Sequence, residues 1–256
     1  MATIARKIEK PLILLTEYFE LSVKAFCRLF VAPTYMEEVF SNMMEIGVRS
    51  ITIVLLTSFF TGMVLALQTG RELAVYGAKM YIGTVVAVAM LRELGPVLTA
   101  LVIAGRVGAG IAAEIGSMNV TEQIDAMRAM ATDPVKKLVS TRMLAGFIVI
   151  PALAVFSVFS GIFGGLFVAI SSLGVTAPFY WKTIRVALTF NDILVGLIKP
   201  FVFGIIIITV ACFLGLNTTG GTEGVGRATR TSVVVSSILI IVGDFFITKL
   251  LFIILG

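Results

Sequence analysis

The chain has 256 residues, of which 58% are hydrophobic and only 14% are charged, with a net charge of +5. Soluble domains contain about 25% charged residues on average, so this composition excludes an ordinary soluble domain. The apolar stretches are long and continuous and do not alternate as barrel strands would, which argues against a transmembrane β-barrel. We therefore predict an all-α integral membrane protein.

Composition also narrows the range of functions. The chain contains no histidine, which excludes His-based acid–base chemistry and His metal ligation. Its two cysteines, Cys27 and Cys212, lie far apart in apolar surroundings and form no CxxC motif, so we expect free thiols, no metal and no cofactor. The basic residues cluster in segments between apolar runs, as the positive-inside rule expects, so we predict no nucleic-acid binding.

The first predicted element is an amphipathic helix over residues 11–31, which we expect to lie in the membrane interface. An ordinary helix packed on protein is the alternative. We expect no cleaved signal peptide, because the apolar run that follows the first basic residues is short and meets Glu17. Residues 1–47 are assigned to this interfacial region and residues 48–256 to a transmembrane domain. The apolar face of the helix is formed by Leu15, Phe19, Val23, Phe26 and Phe30.

Five apolar stretches are long enough to span a bilayer as helices, which needs about 20 residues each. An apolar loop carrying Trp181 is predicted after the third span, and a Gly/Thr-rich loop carrying Arg227 and Arg230 before the fifth. The second span contains Gly95-Pro96, where we expect a break. The five spans are predicted at residues 50–70, 80–105, 143–173, 193–216 and 232–255.

A short polar helix is predicted at about residues 119–133, between the second and third spans. Asn119 followed three residues later by Glu122 is a helix-start signature, and Pro134 ends the segment. The helix is amphipathic, which is typical of a segment that docks on a partner; a simple surface loop is the alternative. Its apolar side chains are Ile124, Met127 and Met130, and its charged ones include Glu122 and Asp125.

The distribution of Lys and Arg predicts the orientation. With the N-terminus in the cytoplasm, the inside segments hold thirteen basic residues and the outside loops hold four. The positive-inside rule therefore favours a cytoplasmic N-terminus and an external C-terminus. The four outside residues are Arg71, Lys79, Lys182 and Arg185.

Ionisable residues inside the predicted spans are the strongest functional signal. A charge at the centre of a spanning helix costs roughly 2.5–3.5 kcal/mol, so such residues face protein or a wet cavity. The adjacent Arg92 and Glu93 lie mid-span, Lys199 lies near the start of the fourth span, and Asp244 lies in the fifth. Each is either part of a transport site or a structural charge that fixes helix packing. Asp244 is too poorly spaced from Lys249 for a helical ion pair, so we expect it to reach another helix.

Several ordered motifs resemble one family. Leu91-Arg-Glu-Leu-Gly-Pro96 is the first, and the similarity extends over about residues 40–256. On these motifs the chain resembles the MlaE (YrbE-type) permease family, the membrane subunits of ABC transporters that move phospholipids together with MCE-domain proteins. The other motifs are Ala104-Gly-Arg106, Ala113-Glu-Ile-Gly116, Thr121-Glu-Gln123, Asp133-Pro134, Lys199 with Leu197-Ile198, Arg227-Ala-Thr-Arg230 and Gly243-Asp244-Phe245.

The resemblance implies a homodimeric permease of the cell inner membrane that moves phospholipids between the inner and outer membranes and maintains lipid asymmetry. Each protomer would have an interfacial helix, five spans and a cytosolic coupling helix. A cytoplasmic ABC ATPase would dock on that helix, through Glu122, Ile124, Asp125, Met127 and Met130, and a periplasmic hexamer of MCE-domain proteins would receive lipid. The lipid cavity would lie between the protomers, near Arg92, Glu93 and Lys199, with apolar walls for the acyl chains. From the predicted orientation of the spans, we expect a lipid to meet Lys199 first and the other two deeper. Asp244, Arg227 and Arg230 are candidates for a structural role.

Other classes remain open on the residues alone. A secondary transporter also uses a broken helix and buried charges, but it usually shows paired repeats, and only one such signature occurs here. A membrane scaffold would not need the Arg92/Glu93 pair. A membrane enzyme lacks a paired nucleophile and base. No nucleotide-binding motif occurs in the chain, so we expect no catalytic activity and an ATPase in a separate subunit.

Overall fold

The computed structural model describes residues 2–28 and 35–255, with side chains for 13–28 and 35–254, and all regular structure within them is helical. Residues 29–31 of the predicted N-terminal helix, including Phe30, lie outside the described residues. The helices, in chain order, are α1 Ala2–Arg28, α2 Met36–Val75, α3 Lys79–Val120, α4 Gln123–Ala129, α5 Val135–Ser171, α6 Ala177–Ala187, α7 Phe190–Leu216 and α8 Gly221–Leu255.

Five of these helices, α2, α3, α5, α7 and α8, are long and apolar enough to cross a membrane. The predicted number and order of spans are confirmed, and the chain is a multi-pass membrane protein. Four of the five helices extend well beyond the predicted apolar stretches. The segment before the first predicted span contains Glu37, Glu38 and Glu45, and it forms the beginning of α2.

Two predicted loops are wrong. The segment carrying Trp181 forms α6, which begins after Thr176 and has Pro178 in its first turn, where a missing backbone N–H costs nothing. The Gly/Thr-rich loop is reduced to residues 217–220, so Arg227 and Arg230 lie on α8 as exposed residues.

The expected break at Gly95-Pro96 is also wrong, because α3 continues through it. Met90–Leu94 forms one π-helical turn directly before Gly95, and Ala104–Gly108 forms a second. A proline removes one backbone hydrogen bond in a helix, and the widened turn before it accommodates the ring without ending the helix. Wide turns of this kind occur frequently at functional sites.

The polar helix α4 is shorter than predicted, and its start signature is misplaced. Asn119 belongs to the end of α3, and its Nδ2 donates to the carbonyl oxygen of Thr218 at 3.0 Å. The helix begins after Glu122, whose φ of 59° is left-handed, and a second left-handed residue, Ala131 with φ 56°, follows its end. Two backbone reversals, and no side-chain cap, therefore set the limits of α4.

The chain forms two compact units. The first consists of Met1–Met44, Ala104–Phe147 and Ile205–Ser237, and it contains α1 and α4. Within it, Arg28 pairs with Asp133 at 2.5 Å, and Ser140 Oγ donates to the carbonyl oxygen of Ala25 at 2.9 Å. These contacts join the C-terminal end of α1 to the segment that follows α4. The interfacial placement of α1 stays a prediction.

The second unit consists of Glu45–Ile103, Ile148–Gly204 and Ile238–Gly256. Its core packs α2, α3, α5 and α6 around buried Met90, Val86 and Tyr180. The Met90 side chain packs directly against Gly161, where a Cβ would be 2.2 Å from the Met90 Cε atom and would force that side chain to move. All four intramembrane ionisable residues noted in the sequence belong to this unit. The expected division into residues 1–47 and 48–256 stays a prediction.

Candidate functional site

The site forms where α3 and α7 approach each other closely. Gly196 of α7 lies against the backbone of α3, and a Cβ at this position would be 2.5 Å from the carbonyl oxygen of Leu91. Only a glycine permits this approach. The polar residues on either side of Leu91 and Gly196 are thereby brought within side-chain reach of one another.

Arg92 of α3 pairs with Asp192, the third residue of α7. Its Nε donates to Asp192 Oδ1 at 2.5 Å, and its Nη2 contacts the same oxygen. Asp192 is almost completely buried, and its second oxygen accepts from the backbone N–H and the hydroxyl of Thr189 at 2.8 and 2.9 Å. This carboxylate is therefore fully satisfied and holds the guanidinium in a fixed position.

Lys199 of α7 lies at the centre of a second cluster. Its side chain has no solvent exposure, and its Nζ donates to Glu93 Oε2 at 2.5 Å and lies 2.9 Å from Asp244 Oδ1. Thr248 Oγ1 donates to the other oxygen of Glu93 at 3.4 Å. One buried ammonium thus joins a carboxylate of α3 to a carboxylate of α8. The prediction that Asp244 reaches another helix is confirmed.

The adjacent Arg92 and Glu93 therefore pair with α7 and not with each other. The expected order of depth also needs correction. Asp192 precedes Lys199 by seven residues, about 10 Å along the helix, so the pair formed by Arg92 lies nearer the start of α7 than Lys199 does. Glu93 and Lys199 lie at the same level, because their charged atoms are in contact.

A cavity of ≈ 130 Å³ opens beside these charges. Arg92 and Glu93 line it, but Lys199 does not, because its ammonium is enclosed by its two carboxylates. Arg92 also lies over the ring of Phe252, 5.9 Å from its centroid. The remaining lining residues are Thr189, Asn191, Asp192, Val195, Thr248, Leu251 and Phe252.

The arrangement contains two cations and three carboxylates, so no cation is in excess. Lys199 is held by two carboxylates and is inaccessible, whereas the Arg92 side chain is 36% exposed and reaches the cavity. Arginine binds phosphate and carboxylate groups in a bidentate manner. Arg92 is therefore the group here that can bind an anion, by exchanging Asp192 for a ligand.

Sequence reasoning missed Asp192 and Thr248. Asp192 lies at the start of an apolar run, where an acidic residue is typical of the polar end of a span and does not indicate a site. The available signal was Thr189 three residues before it, since a threonine and an aspartate at this spacing often satisfy each other at a helix start. Thr248 gave no signal, because a threonine in a span usually bonds its own helix backbone.

The residues assigned to the polar helix separate into two groups. Ile124 is completely buried within the chain, so its predicted contact with a partner is wrong: it anchors α4 to its own protomer. Met127 is half-buried and Met130 is 71% exposed. Glu122 and Asp125 are exposed, and Asp125 pairs with Arg128 on the same helix at 2.8 Å.

Five spanning helices, a charged network beside a cavity within them, and a polar helix between the second and third spans define a membrane permease subunit. Residues 39–250 match the family described as permease MlaE. The chain belongs to the MlaE permease family.

Its relatives carry transporter names. A probable ABC transporter permease protein of Rickettsia typhi is 42% identical over 89% of this chain and 88% of its own length. A protein of the same description from Synechocystis is 40% identical over 91% of this chain and 89% of its own length. The intermembrane phospholipid transport system permease protein MlaE of Haemophilus influenzae is 38% identical over 82% of this chain and 81% of its own length.

Proposed function

We propose that this permease moves phospholipids between the inner and outer membranes, and so maintains lipid asymmetry, as one subunit of an ABC transporter in the cell inner membrane. The observation that carries the proposal is the position of Arg92, whose partly exposed side chain lies at the edge of a cavity within the spanning helices. The name of the Haemophilus relative supports phospholipid as the substrate.

The cavity fits part of a phospholipid. At ≈ 130 Å³ it is smaller than the roughly 300–1,000 Å³ of sites that enclose whole small molecules, so it accommodates a phosphate group and not the acyl chains. Arg92 would bind the phosphate in place of Asp192. The chains would leave the cavity past Leu251 and Phe252, towards the exposed apolar residues of α8 such as Ile253.

The remaining charges have a different role in this proposal. Lys199 holds Glu93 and Asp244 and so fixes α3, α7 and α8 around the cavity, without touching lipid. Asp192 orients Arg92 between transport events. Arg227 and Arg230, which are exposed on α8, are assigned no lipid contact.

Energy would come from a cytoplasmic ABC ATPase, and the permease itself would have no catalytic activity. We assign the ATPase contact to α4, through Met130, Met127, Glu122 and Asp125. The functional unit would be a homodimer, with the N-terminus in the cytoplasm and the C-terminus in the periplasm, below a hexamer of MCE-domain protein that accepts lipid. Thirteen basic residues on the proposed inner side against four outside support this orientation.

The test compares bound lipid and lipid transport in matched variants. Arg92→Gln/Asp192→Asn removes both charges of one pair and so leaves no unpaired buried carboxylate. Purified in detergent, it should keep the parent unfolding temperature but retain about tenfold less phospholipid by mass spectrometry, since charge-assisted bonds to phosphate are worth about 1.5–3 kcal/mol. It should also lose transport in vesicles containing the ATPase.

Arg71→Gln is the control, because Arg71 is exposed on α2 and away from the cavity lining. A well-folded Arg92→Gln/Asp192→Asn variant that binds and moves lipid like the parent would reject Arg92 as the headgroup contact. Transport that follows an ion gradient and needs no ATPase would instead indicate a secondary transporter.

A further inference from the structure

A second surface, distinct from the cavity, is built on α6. One face of this helix is fixed to the second unit: Tyr180 and Ile184 are buried, and Tyr180 Oη donates to the carbonyl oxygen of Ile162 at 3.0 Å. Thr84 of α3 donates to the carbonyl oxygen of Thr183 at 3.2 Å. Burial raises the pKa of the Tyr180 phenol, so it stays a neutral donor. The orientation of α6 is therefore set by contacts on two spans.

The opposite face of α6 forms an open groove of ≈ 510 Å³. Its lining residues recur at the spacing of a single helical face. Lys182 and Arg185 are exposed, and among the described residues no acidic side chain pairs with either of them. The groove is lined by Pro178, Trp181, Lys182, Arg185 and Val186.

The groove continues onto the outer surface of a spanning helix. The ring of Trp181 packs edge to face against Phe163 of α5, with centroids 5.6 Å apart. Phe163 and Phe167 are 49% and 57% exposed on the outer surface of this span. Phe163 lies eight residues before the end of α5, about 12 Å into the span. Two cations thus lie at the end of an exposed apolar surface, and the indole of Trp181 lies between them and Phe163.

We propose that this groove is a binding site for an anionic phospholipid of the surrounding bilayer. Lys182 and Arg185 bind the headgroup phosphate, Trp181 lies at the level of the glycerol backbone, and one acyl chain follows Phe163 and Phe167. Tryptophan is enriched at that level of a membrane, and basic residues at its surface attract anionic lipid. The site requires only that the chain lie in a bilayer and does not depend on lipid transport.

The chain offers a direct probe, because Trp181 is its single tryptophan. The full chain is reconstituted into vesicles of phosphatidylcholine that contain a small fraction of either brominated phosphatidylglycerol or brominated phosphatidylcholine, and quenching of Trp181 fluorescence is measured. Each cation should enrich the anionic lipid at the groove about fivefold. Brominated phosphatidylglycerol should therefore quench Trp181 more strongly than brominated phosphatidylcholine at equal fraction, and high salt should reduce this difference. Equal quenching by the two lipids in the parent chain would overturn the proposal.

Two variants locate the effect. Lys182→Gln/Arg185→Gln should abolish the preference for the anionic lipid while quenching by brominated phosphatidylcholine continues. Arg71→Gln/Lys79→Gln removes the same charge from two other exposed positions of the second unit and should keep the preference. Loss of the preference in both variants would overturn the site by indicating a general surface charge effect.

Displacement of the anionic lipid by millimolar inorganic phosphate would also overturn the proposed site, in favour of a free-phosphate site. The headgroup comparison in the parent chain decides the question if a variant fails to fold.

Discussion

Lys199 donates a 2.5 Å hydrogen bond to Glu93 from a side chain with no solvent exposure. The ammonium also contacts Asp244, so three spanning helices share one buried cation. Removing the cation alone leaves two carboxylates without a partner charge, whereas removing all three charges together leaves none. The cluster therefore gives clear expectations for mutation.

Lys199→Met should destabilise the fold, because it leaves Glu93 and Asp244 close together without a cation. The expected loss is about 3–5 kcal/mol of unfolding free energy, measured as a lower unfolding temperature in detergent. Lys199→Met/Glu93→Gln/Asp244→Asn should recover most of this loss. A single variant as stable as the parent would show that the cluster contributes nothing to helix packing.

Gly196→Ala should disturb the cavity without changing any charge. The added methyl group would meet the backbone of α3 at Leu91, so α7 must move outward, and Arg92 would lose its alignment with Asp192. We expect lower lipid occupancy by mass spectrometry, with a cost in stability of about 1–3 kcal/mol. Gly105→Ala is the matched control, because a Cβ there has no neighbour within 4 Å. Equal lipid occupancy in the two variants would contradict the role of this approach.

Met130→Asp should weaken the complex with the ATPase and leave the permease folded. Met130 is 71% exposed, so the charge is solvated in the free chain and is buried only in the complex. If Met130 lies in the centre of the contact, the binding free energy should weaken by about 2 kcal/mol or more. The amount of ATPase that co-purifies with the permease, measured at increasing ATPase concentration, gives this loss.

Met127→Asp should act in the same direction, since Met127 lies on the same helix and is partly exposed. Ile124→Asp serves as the contrast: it buries a charge inside the protomer and should lower the unfolding temperature even without the ATPase. Unchanged ATP hydrolysis in complexes of Met130→Asp and Met127→Asp would remove α4 as the coupling element.

Ala131→Gly should stabilise the segment that follows α4. Ala131 has φ 56°, a left-handed conformation that costs a residue with a side chain about 1 kcal/mol relative to glycine. Ala129→Gly, at the last position of α4, should instead destabilise by up to about 1 kcal/mol, since glycine is a poor helix former. Ala131→Gly should raise the unfolding temperature and Ala129→Gly should lower it. Shifts in the same direction would contradict a left-handed turn at Ala131.

The extent of prediction from sequence differs between elements. The five spans follow from local composition, because a chain in lipid must satisfy its own backbone hydrogen bonds within each helix. Asp244 was correctly expected to reach another helix, since the cost of an unpaired charge in a span is independent of the detailed fold. Helix ends were predicted less well. Asn119 has the pattern of a helix start, yet its amide bonds Thr218, and α4 begins only after the left-handed Glu122.

The sequence by itself determined the all-α membrane class, the number of spans, the family, and the ionisable residues that must find partners. Only the tertiary structure decided which partner each one finds. Arg92 and Glu93 are neighbours in sequence, but a close helix approach at Gly196 directs them to Asp192 and Lys199, about a hundred residues away. Pairing depends on which helices lie side by side and in what register, and no local pattern contains that information. The same reason applies to Ile124, whose burial depends on what α4 packs against.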